Sequence, residues 1–266
     1  MNSGLTDTHC HLYFRDFAED LNEVLSRAWD EGVERILIPG IDLDTSRQAV
    51  DLTEKHPNLF AAVGVHPNDA LTWNASTASA LRDLTAHPKT VAIGEIGLDY
   101  YRDHAPKDVQ TSVFLAQLDL AREVEKPVVV HNRNAIHDLW TILESWQAGL
   151  ATANHPLALC PGVLHSFDES LFWGKKAAIA HFYLGISGPV TFPKAIEKHE
   201  LVTGLELEDL LIETDAPFLT PIPYRGRRNE PSYTRHIAVK IAELKQLPVN
   251  LVVTQTASNA VRLFGW

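Results

Sequence analysis

The sequence predicts an α/β protein folded as a (β/α)8 TIM barrel, and three observations carry that expectation. Short apolar runs alternate with amphipathic ones from end to end. There are about eight such pairs, the number a closed parallel barrel requires. At least six of the apolar runs end in a polar residue able to share a site. An open doubly wound sheet would gather its ligands at a switch point served by a few strands, whereas a barrel brings every strand end to one mouth. The wide spread of polar endings therefore favours the barrel, and 266 residues suit a single domain over 1–266.

Taken in order, strands are expected near 5–10, 33–39, 59–65, 90–95, 127–131, 162–165, 181–187 and 209–214. Amphipathic helices are expected over 16–31, 44–55, 75–86, 108–126, 135–146, 169–178 and 194–201, with two more at 233–247 and 249–264. Asp44 before Thr45-Ser46-Arg47 and Pro193 at a first turn mark helix starts, while Pro57, Pro88 and Pro127 follow helix ends. The segment 147–161 reads as a surface excursion, with His155 in solvent.

A hydrophobic content of 45% is ample for a sizeable core. No stretch approaches the roughly 18 apolar residues of a membrane span, and Met1-Asn2-Ser3-Gly4 leads straight into the first strand without a basic, apolar leader. The expectation is a cytoplasmic protein with no membrane association and no obligate protein partner. Cys10 and Cys160 are too few for a disulfide framework, and the strand pleat turns Cys10 away from its two flanking histidines into packing. A net charge of −11 argues against an electrostatically sticky nucleic-acid or membrane binder. It leaves room for a phosphate substrate, because bound cations supply the largest local charge in such a site.

The polar endings carry the chemistry. His9 and His11 lie at i and i+2 of the first strand, so both imidazoles point to one face. His66, Glu95, His131, His165 and Asp215 close later apolar runs. Each has a plainer reading: a histidine bonded to backbone in the core, Glu95 paired with an arginine, Asp215 capping the turn before Ala216-Pro217. Burying them together unpaired would cost a few kcal/mol each, which favours a common site. Imidazole suits Zn, Ni or Fe and carboxylate suits Mg or Mn, so a mixed set accepts several divalent ions. Two ions are expected, one held by His9, His11 and Asp215 and the other by His131 and His165, with Glu95 between them. Mg or Mn is expected in the cell, and Zn or Ni in a crystal.

Longer motifs carry a resemblance. Thr6-Asp7-Thr8-His9-Cys10-His11-Leu12, Ala62-Val63-Gly64-Val65-His66-Pro67, Val91 through Tyr101, Lys126 through Ala135, Gly162 through Phe167, Glu213 through Pro221 and Arg225 through Pro231 follow one another along the chain. In that order they resemble the TatD family of metal-dependent deoxyribonucleases, within the amidohydrolase-like barrels. The resemblance implies the (β/α)8 metal-dependent hydrolase fold, two divalent ions and hydrolysis of phosphodiester bonds in nucleic acid, often from 3′ to 5′. It places metal ligands at His9, His11, Glu95, His131, His165 and Asp215. The chain departs from the family pattern at Tyr13 and Asn68, positions that the resemblance has facing substrate or supporting the ligands, and at Asp168-Glu169, two added carboxylates expected to weaken binding of an anionic substrate.

The expected mechanism is attack on phosphorus by water that the ions activate, with Asp215 orienting or deprotonating it and Glu95 fixing the ions. His66 is expected on a phosphate oxygen or behind a ligand. Arg133, two residues past His131, and Arg225, in the basic Tyr224-Arg225-Gly226-Arg227-Arg228 loop, are expected phosphate clamps. Tyr100, Tyr101 and Phe218 are placed to stack on bases of DNA, or RNA, bound transiently. A barrel hydrolase of a non-nucleotide ester, amide or small phosphate is the rival enzyme. A catalytically silent metal-binding scaffold is the rival from another class, and it would need a broken ligand set.

Overall fold

The computed structural model describes residues 4–102 and 104–266. Eight strands follow one another in chain order through one sheet. They are β1 (Leu5–Asp7), β2 (Val33–Pro39), β3 (Leu59–Val63), β4 (Thr90–Asp99), β5 (Val128–Arg133), β6 (Gly162–Leu164), β7 (Tyr183–Ile186) and β8 (Leu210–Ile212). The helices between and after them are α1 (Leu21–Asp30), α2 (Leu43–Lys55), α3 (Ala75–Thr85), α4 (Lys107–Glu123), α5 (Ile136–Thr152), α6 (Leu171–Ile179), α7 (Ile196–Gly204), α8 (Thr234–Lys245) and α9 (Val249–Phe264). No helix among the described residues is long and apolar enough to cross a membrane.

The chain forms two compact halves. The first holds the chain up to Ile38, Ser166–Ile179 and Tyr183–Arg262. In it β1 pairs with β2, and β7 with β8, both parallel. β1 is shorter than expected, ending at Asp7 instead of residue 10. Beyond it Thr8 N–H donates to the Ile212 carbonyl (3.1 Å), Cys10 bridges Ala216, and His11 N–H donates to the Ala216 carbonyl (2.8 Å). The backbone N–H groups of Thr8, Cys10 and His11 are thus taken up by β8, by Leu37 of β2 (3.0 Å from Cys10) and by the segment after β8. Cys10 is fully buried between them, as expected, and burial pushes its thiol up.

The second half holds Pro39–His165, Ala180–Phe182 and Leu263–Trp266. Here β3 pairs with β4, β4 with β5 and β5 with β6. α2 starts in a capping box, Asp42 accepting from Thr45 N–H at 2.7 Å while Thr45 Oγ1 accepts from Asp42 N–H at 2.9 Å. Such a cap is worth about 1 kcal/mol. Ser46, Ala49, Val50 and Thr53 make the buried stripe of α2, which packs on β3.

Several expected boundaries move. The helix expected over 16–31 is a short 3-10 turn, Arg15–Phe17, followed by α1. β4 continues to Asp99, four residues past its expected end. The segment 147–161 is not an irregular excursion, because α5 runs on to Thr152 and a 3-10 turn follows at Pro156–Leu159. His155 is half-buried, contrary to expectation: its Nδ1 accepts from Leu157 N–H at 3.2 Å and its Nε2 meets the Arg122 carbonyl at 3.0 Å.

Candidate metal centre

In the first half, backbone hydrogen bonds join the segments that follow β1 and β8. Asp215 N–H donates to the His9 carbonyl at 2.8 Å, beside the His11 to Ala216 bond. Buried Asp7 tightens the junction, accepting from Thr214 N–H (2.9 Å) and Thr214 Oγ1 (2.6 Å), and burial pushes its carboxyl up to about 8. Buried Asn229 holds the following turn, its amide donating to the carbonyls of Thr214 (2.9 Å) and Phe218 (2.6 Å). Asp215 itself lies in the left-handed region (φ 57°), which Asp tolerates better than most residues.

The result is a cluster of three donors. His9 Nε2 and His11 Nε2 lie 3.2 Å apart, and Asp215 Oδ1 stands 3.8 Å from the first and 3.4 Å from the second. Two imidazole nitrogens aimed at each other beside a carboxylate are poorly arranged for each other alone, but they are a group that could hold a divalent cation. The residues therefore fit the ion. His11 is held from behind by Tyr13, whose hydroxyl meets its Nδ1 at 2.9 Å, and from one face by Phe14, stacked at 5.0 Å. Phe218 lies edge-on to Phe14 at 5.8 Å and is half exposed.

In the second half the donors come from consecutive strands. His131 on β5 lies opposite Gly97 on β4. Glu95 and Asp99 flank that glycine at alternate positions of one face, and a side chain at 97 would run into the His131 carbonyl. His131 Nδ1 consequently meets Glu95 Oε1 at 2.8 Å and its Nε2 faces Asp99 Oδ2 at 3.4 Å. Burial opposes charge on this imidazole, but Asp99 and Glu95 outweigh it and raise its pKa. Asp99, although buried, is held well below the usual carboxylate range by His131 and by the N–H groups of Arg102 and Tyr101. His66 Nε2 and His165 Nε2 stand 3.6 and 3.5 Å from Glu95 Oε1. One ligand atom each from His66, Asp99 and His131 lies within 4.8 Å of the others.

α4 secures these strand ends through two glutamines seven residues apart on its buried side. Gln117 accepts from Val65 N–H (2.7 Å) and donates to the Val65 carbonyl (2.9 Å), next to His66. Gln110 does the same for Asp99, at 2.9 and 3.0 Å.

Sequence reasoning missed Asp99, since it ended β4 at Glu95. The i+4 alternation from Glu95 through Gly97 to Asp99 was the available signal. Arg133 ends β5, two residues past the expected end at His131, and is exposed, with its guanidinium 3.9 Å over the Tyr101 ring. Arg225 lies over Phe192 at 4.5 Å. Arg228 is bound instead to Asp20 by two 2.7 Å hydrogen bonds, and Tyr100 donates to Asp138 at 2.9 Å. Asp168 is paired with Lys198 at 2.6 Å, so its charge is offset.

Comparison with known proteins agrees with this geometry. The family model for TatD related DNase matches residues 6–265. The chain is 43% identical over 260 residues to the uncharacterized metal-dependent hydrolase YabD of Bacillus subtilis (strain 168), covering 98% of each chain. It is 37% identical over 266 residues to the 3′-5′ ssDNA/RNA exonuclease TatD of Escherichia coli (strain K12), covering 97% of this chain and 98% of the relative. The crystal structure of the TatD homolog YJJV from Escherichia coli K12 superposes with a TM-score of 0.91 at 28% identity over 100% of both chains. The expected (β/α)8 barrel is thus the fold, and the chain belongs to the TatD related DNase family of metal-dependent hydrolases.

Proposed function

We propose that this protein is a cytoplasmic, divalent-metal-dependent exonuclease that hydrolyses phosphodiester bonds from the 3′ end of single-stranded DNA, with RNA as a second substrate. The observation that carries the reading is the pair of imidazole nitrogens 3.2 Å apart beside Asp215. The exonuclease relatives, similar over nearly their whole length, support the choice of substrate.

We assign one cation to His9, His11 and Asp215, and a second to Glu95, His131 and His165. Strand ends of a (β/α)8 barrel open onto one face, and on this reading the two donor sets act as one domain on one phosphodiester. Two divalent ions supply Lewis acidity to phosphoryl oxygens and lower the pKa of water. Asp215, partly open to solvent, takes the proton of the attacking water as its oxygen bonds to phosphorus and the bond to the leaving oxygen breaks. Glu95 is the second catalytic carboxylate. His66 steadies Glu95, or reaches a phosphate oxygen. Arg133 and Arg225, both exposed, clamp flanking phosphates. Mg or Mn is the ion in the cell, while the same donors take Zn or Ni where those are supplied.

The test incubates metal-stripped protein with end-labelled single-stranded DNA, RNA and a small phosphodiester, adding Mg, Mn or Zn in turn. Cleavage of the polymers, with Glu95→Ala inactive, is expected. Absence of cleavage under every ion, or equal cleavage by the variant, defeats the reading. Cleavage of the small diester alone points to a small-phosphate hydrolase.

A further inference from the structure

We infer that Tyr13 sets the strength of the cation site at His9, His11 and Asp215, and makes it the weaker of the two sites. The inference rests on the metal reading above and deepens it.

The two halves back their histidines with unlike partners. Behind His11 stands a neutral phenol: the Tyr13 hydroxyl meets Nδ1 at 2.9 Å, while Nε2 faces Asp215 and His9. For Nε2 to offer its lone pair to a cation, Nδ1 carries the proton and donates it to the phenol oxygen. Phe14, stacked on the ring at 5.0 Å and nearly parallel at 16°, keeps the imidazole in that plane. Behind His131 stands an anion: Nε2 faces Asp99 Oδ2 at 3.4 Å, while Nδ1 points at Glu95. A carboxylate behind an imidazole raises its basicity toward a metal, and such partners alter affinity by about 10–100-fold. A phenol holds the ring's orientation and tautomer equally well, but it returns less negative charge. The site in the first half is therefore oriented but electronically weaker, and Tyr13 is its positioning residue.

The experiment titrates the metal-stripped full-length chain with Mn²⁺, counting free ion by electron paramagnetic resonance and uptake by calorimetry. Wild type takes up two ions in separated steps. Tyr13→Phe keeps the half-buried ring and weakens only the weaker step, by about 10–100-fold. Tyr13→Asp strengthens that same step. Long-range ¹⁵N spectra of the metal-free protein give an independent readout: His11 is a single Nδ1–H tautomer in wild type and a mixture in Tyr13→Phe. Two equal steps in wild type, unchanged binding by a folded Tyr13→Phe, or weakening confined to the tighter step would overturn the inference and leave the metal reading standing. A wild-type chain that takes up no Mn²⁺ would overturn the metal reading and this inference with it.

Discussion

The two donor clusters use the same side-chain types but are built in opposite ways. In the first half His9, His11 and Asp215 come from distant parts of the chain, joined by backbone hydrogen bonds such as Asp215 to His9 at 2.8 Å. In the second half Glu95, His131 and His165 come from consecutive strands whose parallel register presents them directly. The first cluster is backed by aromatic rings and a phenol, the second by a buried carboxylate and two glutamine clamps. Two histidine clusters of one protein can thus be backed by unlike groups that lie outside the clusters themselves.

The largest effect that would break this contrast is at Glu95. Glu95→Ala is expected to lower kcat/KM on end-labelled single-stranded DNA by about 10³-fold, the scale lost with a group that stabilises transition-state charge. A drop of less than tenfold would remove Glu95 from the chemistry. Next, Asp99→Asn removes the anion behind His131 and should weaken the tighter cation step by about 10–100-fold in a Mn²⁺ titration. If the weaker step moves instead, the assignment of strong and weak sites is reversed. Third, Phe218→Ala should raise KM for single-stranded DNA about tenfold, as expected for loss of one base–aromatic stack. Tyr101→Ala, made in parallel, shows whether the base lies on the Asp215 side or the Arg133 side.

The smallest effect concerns stability and lies in the first half alone. Buried Glu230 accepts from Arg27 at 2.9 and 2.7 Å and from Ser232 at 2.7 Å. Burial works against its charge, yet these partners and Arg228 bring its pKa below 4.5. A carboxylate depressed on folding stabilises above its unfolded pKa, and that stability is lost as pH falls through the folded value. Solvent screening of the half-exposed Arg27 limits the contribution to about 0.5–1 kcal/mol. Urea midpoints should therefore fall between pH 6 and pH 3.5 by slightly less in Glu230→Gln than in wild type. Identical pH profiles would show that the pair contributes nothing.

The alternation of apolar and amphipathic runs made the barrel legible, because strand and helix periods differ and each run is bounded by turn residues. The donors at strand ends were legible for the same reason: a charged or imidazole side chain closing an apolar run is costly unless something there receives it. Asp99 was overlooked although Ile96 and Leu98 carry the apolar alternation on past Glu95, because a strand ended at its first charged residue stops short of the next one on the same face. The contact of Tyr13 with His11 was equally hidden, because it depends on how the chain turns after β1 ends. Arg228 read only as one member of a basic loop, and tertiary structure alone sets Asp20 against it. Interactions between side chains on different loops leave no periodic trace in a sequence.

The hydrogen bonds from Thr214 to Asp7 join residues 207 positions apart. A ribosome must therefore release the chain past residue 215 before the carboxylate of Asp215 can reach His9 and His11. During translation the emerging chain carries those histidines without their acidic partner, beside the messenger that encodes it. The cluster of His9, His11 and Asp215 is thereby completed only once the chain has been made past residue 215.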